Sequence, residues 1–168
     1  LSGTRTYDGT TGVASGILTF SPLVGTETLT LTGTGTVADK HVETGKAITL
    51  GTLALGNGTN GGMATNYTLT GGTHTVSITR ANLTVSTTDV TKTYDGNATA
   101  SGTATVISGS LFDTDTISGG TFAFNDKNAA FGTKIVTVSD VTLNDGNSGG
   151  NYLVSYASNT TSTINPRH

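Results

Sequence analysis

The tetrapeptide Thr6-Tyr7-Asp8-Gly9 returns as Thr93-Tyr94-Asp95-Gly96, 87 residues later in a chain of 168. Other landmarks keep nearly the same offset. Arg5 answers to Lys92, Ser15-Gly16 to Ser101-Gly102, Asp39-Lys40 to Asp126-Lys127, and Gly45 to Gly132. Toward the ends of the copies, Asn66-Tyr67 answers to Asn151-Tyr152 and Ile78-Thr79 to Ile164-Asn165. Solenoid repeats have periods of about 20–50 residues, so a unit this long reads as a small domain that folds around its own core. The chain is therefore expected to hold two tandem domains, residues 1–80 and 81–168. The join falls near Thr79-Arg80-Ala81, where one apolar run ends at Ile78 and the next begins at Leu83. With no flexible linker between them, a stiff junction is expected.

Within each copy the residues alternate. Leu29 and Leu31, Val76 and Ile78, Phe122 and Phe124, and Val136 and Val138 are each separated by one small or polar residue. Alternation of this kind places one side of a strand on a core and the other in water. Threonine, branched at Cβ, suits such a surface and is a poor helix former. The expected strands of the first copy are 16–20, 27–32, 46–55, 67–70 and 73–79. Those of the second are 82–86, 99–107, 116–125, 134–143, 152–158 and 161–164. The first copy lacks a counterpart to the strand at Ala81–Ser86. The glycine- and asparagine-rich stretches 56–62 and 144–150 read as loops of low stability with nothing to bury. The fold class is all-β, two small sandwiches of immunoglobulin-like type, with a β-grasp-like strand order as the alternative that alternation leaves open.

Charge and composition exclude several functions. A net charge of -3 and a pI near 5.4 offer no basic field to nucleic acid or to an anionic membrane surface. The absence of cysteine removes disulfides, thiolate metal sites and cysteine nucleophiles. No apolar run is long enough to cross a bilayer as a helix. Leu1-Ser2-Gly3 is neither an initiator methionine nor a signal peptide, and the chain reads as an internal segment of a longer protein.

The candidate sites each have a plainer reading. Tyr7-Asp8-Gly9 and Tyr94-Asp95-Gly96 could set an aromatic platform beside a carboxylate, as in a sugar site. Asp-Gly is equally a turn whose carboxylate caps backbone N–H groups, and that role explains the motif. Lys40 and Lys127, beside Asp39 and Asp126, could form an amide cross-link to asparagine, which requires an apolar pocket; a solvated ion pair is the simpler expectation. Asp113, Asp115 and Asp145 could ligate calcium, although neither of their stretches has EF-hand spacing. Threonines at alternate positions from Thr28 to Thr36 could form a flat face for ice or glycan. His41, His74 and His168 have no recurring acidic partner, so no catalytic constellation is expected, and no cofactor other than calcium is suggested.

Taken in order, Thr-Arg-Thr-Tyr-Asp-Gly or Thr-Lys-Thr-Tyr-Asp-Gly, then Asp-Lys with a following glycine, then Ala-Thr-Asn-Tyr or Gly-Gly-Asn-Tyr, resembles the YDG-type repeats. These are related to MBG-type repeats and occur in large secreted bacterial adhesins of the filamentous-haemagglutinin-like class. The resemblance covers nearly the whole chain. It implies an extracellular stalk or spacer that projects a distal binding region in adhesion or biofilm formation, and no enzyme. Its partners would be neighbouring repeats of the same polypeptide and a host or matrix glycan or protein. The alternative is a module that itself binds glycan, ice or another copy. The resemblance also makes Tyr7, Asp8, Gly9, Asn66 and Tyr67, with Tyr94, Asp95, Gly96, Asn151 and Tyr152, landmarks of the fold.

Overall fold

The computed structural model describes Leu1–His168 and separates into two compact units, Leu1–Arg80 and Ala81–His168. Both are built from strands. The only helical turns are two of 3-10 type, Ser15–Ile17 and Ala64–Asn66. A β-grasp needs a helix laid across its sheet, so that alternative does not describe either unit.

Unit 1 comprises β1 (Ser2–Thr6), β2 (Gly12–Ala14), β3 (Leu18–Thr19), β4 (Leu29–Thr32), β5 (Thr34–Thr36), β6 (Glu43–Ala47), β7 (Ala54–Asn57) and β8 (Thr75–Thr79). Four of these form a sheet in the order β3-β1-β8-β6, while β2 pairs with β5 and β4 with β7. The first strand and the last, β1 and β8, run parallel from Ser2↔Thr75 to Thr6↔Thr79. Val76 and Ile78 face inward and are almost fully buried, as their alternation requires. Tyr7, Val13, Val37, Ile48 and Leu53 are buried with them.

Unit 2 comprises β9 (Ala81–Thr87), β10 (Thr91–Thr93), β11 (Ala104–Ser108), β12 (Thr116–Phe124), β13 (Ala130–Asn144), β14 (Tyr152–Tyr156) and β15 (Asn159–Asn165). It is a two-layer arrangement of a four-stranded sheet, β10-β15-β13-β12, and a three-stranded sheet, β11-β9-β14. β13 touches β9 and β12 touches β11 across the layers. Val90, Phe124, Val136 and Ile164 close one part of the core, with Tyr94 and Phe122 packed on its edge. Leu83 and Val85 project from β9 and are fully buried. Burying an aliphatic chain of this size contributes about 1.5–3 kcal/mol. Ser162 is buried among them because its hydroxyl is spent twice, accepting from Val90 N–H (2.9 Å) and donating to Asn159 Oδ1 (2.6 Å).

The units share a plan but differ in two places. The long hairpin β12–β13 of unit 2 is broken in unit 1 into β4 and β5 on one arm and β6 and β7 on the other. Gly33 and Gly51, both at positive φ, sit at the breaks, and a Cβ at Gly33 would lie 2.1 Å from the Thr52 carbonyl oxygen. The expected strand 46–55 is thus two strands joined by a turn in which Leu53 N–H reaches Leu50 O. The threonine row from Thr28 to Thr36, weighed as a possible face for ice or glycan, is divided between two sheets.

The second difference concerns β9, which has no counterpart in unit 1. In unit 2, β14 pairs in parallel with β9, from Tyr152↔Ala81 to Tyr156↔Val85. The corresponding stretch 67–70 was expected as a strand and is irregular, pairing with no strand of unit 1. Expected strand 16–20 is likewise reduced to a 3-10 turn and the two residues of β3. The three-residue strands β2, β5 and β10 are too short for alternation to reveal, and β1 has no apolar side chain to alternate.

Candidate functional site

The Tyr-Asp-Gly turns are fixed by their own side chains. Gly9 and Gly96 take the positive φ that the turn requires. Asp8 Oδ1 accepts the Thr10 N–H (2.9 Å) and hydroxyl (2.8 Å), and the Arg5 guanidinium closes on the same oxygen while reaching Thr10 O at 2.6 Å. In the second copy Asp95 Oδ1 accepts Asn97 N–H (3.1 Å) and Lys92 Nζ (2.9 Å), and Lys92 also reaches Thr99 O (3.0 Å). Burial works against ionisation of Asp8, but its hydrogen bonds to Thr10 and the nearby Arg5 charge together hold its pKa below the ordinary carboxylate value. Asp95 is lowered chiefly by the bond from Lys92. These carboxylates are committed to their turns through Oδ1, and each side chain remains a little under half exposed.

The tyrosines of the motif join the turn to the end of the unit. Tyr7 is buried, and its N–H donates to Thr79 O at 2.8 Å. Tyr94 N–H donates to Asn165 O, also at 2.8 Å. Each turn therefore staples the chain after β1 or β10 to the C-terminal end of its parallel partner, β8 or β15.

The structure moves the lysine chemistry to different residues. Lys46 and Lys134 are the buried lysines; Lys40 and Lys127 are not. Lys46 Nζ reaches Asp39 (2.7 Å) and Glu43 (3.0 Å), and Lys134 Nζ reaches Asp126 (2.6 Å). Burial disfavours the charge on Lys46, but Asp39 and Glu43 outweigh it and raise the pKa. Each buried lysine is thus tied by an ion pair to the aspartate of its Asp-Lys landmark. Lys40 instead lies over the Tyr7 ring, 6.0 Å from its centre.

The calcium candidates are engaged by other groups of the protein. Asp115 accepts the Tyr152 hydroxyl at 2.6 Å, and the same hydroxyl oxygen accepts Phe112 N–H at 2.9 Å. Unit 1 repeats this clamp, with Tyr67 donating to Glu27 (2.5 Å) and accepting from Val24 N–H (3.1 Å). Asp145 is 2% exposed and organises the loop 144–150. Its Oδ1 accepts the N–H groups of Asn147 and Gly149, both at 2.8 Å, and its Oδ2 accepts that of Asn151 at 2.9 Å. Asn151 is fully buried and returns a bond to Asp145 O. A stretch expected to have nothing to bury is therefore closed around a buried carboxylate. Asp113 is exposed, with φ of 54°. Asn66, the counterpart of Asn151, is exposed at the end of the 3-10 turn.

No three histidine, aspartate or glutamate side chains gather as a metal-binding group. His74 lies in unit 1 with Nε2 2.8 Å from Leu69 O. Beside it a cleft of about 230 Å³ opens among Phe20, Leu23, Leu29, Leu55, Tyr67 and Leu69. No helix is long and apolar enough to cross a membrane, which leaves strand-built barrels unaddressed.

Sequence reasoning passed over Lys46, Lys134 and Glu27. A signal existed for the lysines, since Lys134 is in phase with inward-facing Val136 and Val138, and Lys46 with Ile48. Glu27 and Asp115 precede their tyrosines by 40 and 37 residues, and nothing local marks them.

Neither a curated protein nor a solved structure matches the chain. The family model of the YDG domain does, over residues 1–75 and again over 79–161. With both copies matched over nearly their whole length, the chain belongs to the YDG domain family.

Proposed function

We propose that this chain is a load-bearing spacer repeat of an extracellular bacterial adhesin, holding a distal binding region away from the cell surface. The observation that carries the reading is the parallel pairing of entering and leaving strands within each unit. In unit 1, β1 pairs with β8 over five positions. In unit 2, β9 pairs with β14 and β10 with β15, also in parallel. When a chain is pulled by its ends, such strands are drawn past each other lengthwise. Their hydrogen bonds then share the load and must fail together, whereas strands pulled from one end separate one bond at a time. The Tyr-Asp-Gly staples at Thr79 and Asn165 add to the same clamp.

The polar groups that could have served catalysis are occupied in this framework. Asp8 and Asp95 close turns, Lys46 and Lys134 form latches, and Asp115 and Asp145 hold a tyrosine and a loop. A structural role uses every one of them, and on this reading the chain is not an enzyme. Pulled by its two ends in a single-molecule force experiment, the chain is expected to lengthen in two discrete events, one per unit. Each event releases at most ~3.3–3.6 Å per residue. Smooth extension at low force, without discrete events, would remove the load-bearing role.

A further inference from the structure

The two sheets of unit 2 end in the strands β10, β12, β11 and β14, and the first three are guarded against strand addition. β10 is three residues long and carries Lys92. β12 is bent by Gly119 and Gly120, both at positive φ. Its other half is covered, since Ala100 N–H donates to Phe122 O (3.4 Å) and Phe124 N–H to Ala98 O (2.8 Å). β11 slips register between Val106 and Ser108. A short strand, a charge, a bulge or a cover are the devices by which sheets keep other chains off their edges.

β14 has no charge, bulge or cover of this kind. It pairs with β9 in unbroken parallel register over five positions, from Tyr152↔Ala81 to Tyr156↔Val85. No charged residue lies between Asp145 and Arg167, and Leu153 is 56% exposed. The Tyr156 hydroxyl accepts the Val141 N–H at 3.0 Å and fixes the end of the strand. Asn151 O accepts the Ala81 N–H (3.0 Å), and Ala157 N–H donates to Val85 O (2.9 Å). A parallel ladder engages alternate residues, so Leu153 and Ser155 also address β9, and the N–H and C=O of Val154 and Tyr156 point to the open edge.

We infer that β14 is a self-association seam, and that its partner is β14 of a second copy of this chain, laid antiparallel about a two-fold axis through Ser155. In this register Val154 of each copy faces Tyr156 of the other. Four main-chain hydrogen bonds then form from the groups that point to the edge. Ser155 meets its own counterpart, and Leu153 meets Ala157, which covers part of the exposed leucine. A second copy fits better than an unrelated strand for two reasons. Val154 and Tyr156 flank Ser155 symmetrically, so one segment supplies both halves of the ladder. An uncharged edge neither attracts a charged segment nor repels itself. Pairing at this edge is independent of load along the chain.

Four main-chain bonds make a weak and reversible contact, so the test traps it covalently. The chain has no cysteine. Residues directly opposed at a non-hydrogen-bonded antiparallel position have Cα atoms about 4.5 Å apart, within reach of a disulfide. Ser155→Cys is compared with Ser108→Cys, an exposed position on β11 at the other edge of the same sheet, at equal concentration in a glutathione redox buffer. Ser155→Cys is expected to give about tenfold or more disulfide-linked dimer, because the seam raises the local concentration of its thiols. Adding Val154→Pro removes an edge N–H without touching a bond to β9, and adding Leu153→Lys places a charge on the edge. Each should return the dimer to the level of Ser108→Cys, with thermal melting confirming that the variants fold; if Val154→Pro does not fold, Leu153→Lys decides. Equal dimer from the two cysteines overturns the inference. A Ser155→Cys yield that the folded edge variants leave unchanged also overturns it.

Discussion

Replacing Asp145 by asparagine tests whether one buried carboxylate holds the loop of unit 2 together. The native side chain accepts three backbone N–H groups, two on Oδ1 and one on Oδ2. Asparagine has the same shape but only one acceptor oxygen. If that oxygen serves Asn147 and Gly149, the new amide NH₂ faces the Asn151 N–H, donor against donor, at a fully buried site. A hydrogen bond to a charged group is worth about 1.5–3 kcal/mol, and a buried donor left unmet costs about 1–3 kcal/mol. The loss should be about 3 kcal/mol, or roughly 12–24 °C in the melting temperature of a domain this size. Thermal unfolding followed through the NMR signals of unit 2 measures it.

The pH dependence follows from the same site. Burial alone would raise the pKa of Asp145, but the N–H groups of Asn151, Gly149 and Asn147 outweigh it and hold it below the ordinary carboxylate value. Because the folded-state pKa is depressed, the carboxylate contributes its full stability above the unfolded-state pKa of ~3.9. That contribution falls away as pH drops through the folded-state value. The gap between native chain and Asp145→Asn should thus stay constant from neutral pH to about 4 and narrow below it. An unchanged melting temperature at neutral pH, or a gap that widens in acid, would refute the reasoning.

Tyr152→Phe removes one hydrogen bond from buried Asp115 and one from the Phe112 N–H and should cost unit 2 about 1–3 kcal/mol by urea unfolding. Tyr67→Phe removes the same bridge where water can replace it, so its melting shift should be clearly the smaller of the two. Leu83→Ala, at a position 1% exposed, should cost about 2–5 kcal/mol, measured the same way. With Asp115 and Asp145 already engaged, melting of the chain should be the same in chelator and in millimolar calcium; calorimetry decides it.

What could be read from the sequence depended on how far each feature's cause lay along the chain. The inward faces of β8, β12 and β13 were legible because alternation is local and belongs to the strand itself. The irregularity of 67–70 was not, although its residues alternate as those of β14 do. A strand exists only with a partner, and whether one pairs with it cannot be read within that window. The Asp39 and Asp126 landmarks were visible, but adjacency suggested Lys40 and Lys127. The lysines chosen by the fold are the ones that share a strand face with Ile48 and Val136. Asp145 illustrates the reverse error, since a glycine-rich loop looks empty until its backbone donors are seen to converge on one side chain. The clamp between Tyr152 and Asp115 depends on two segments meeting in space and becomes legible only when unit 1 repeats it with Tyr67 and Glu27.

The load-bearing role is tested most directly by changing the direction of pull. The chain has no cysteine, so attachment points can be placed at will. Thr116→Cys and Asn144→Cys mark the open end of the β12–β13 hairpin, where the two residues face each other. Pulled there, unit 2 is loaded one pair at a time; pulled by the chain ends, its parallel strands are loaded lengthwise. The account predicts a several-fold higher unfolding force for the end-to-end pull. Equal forces in the two directions, or a weaker response end to end, would contradict it.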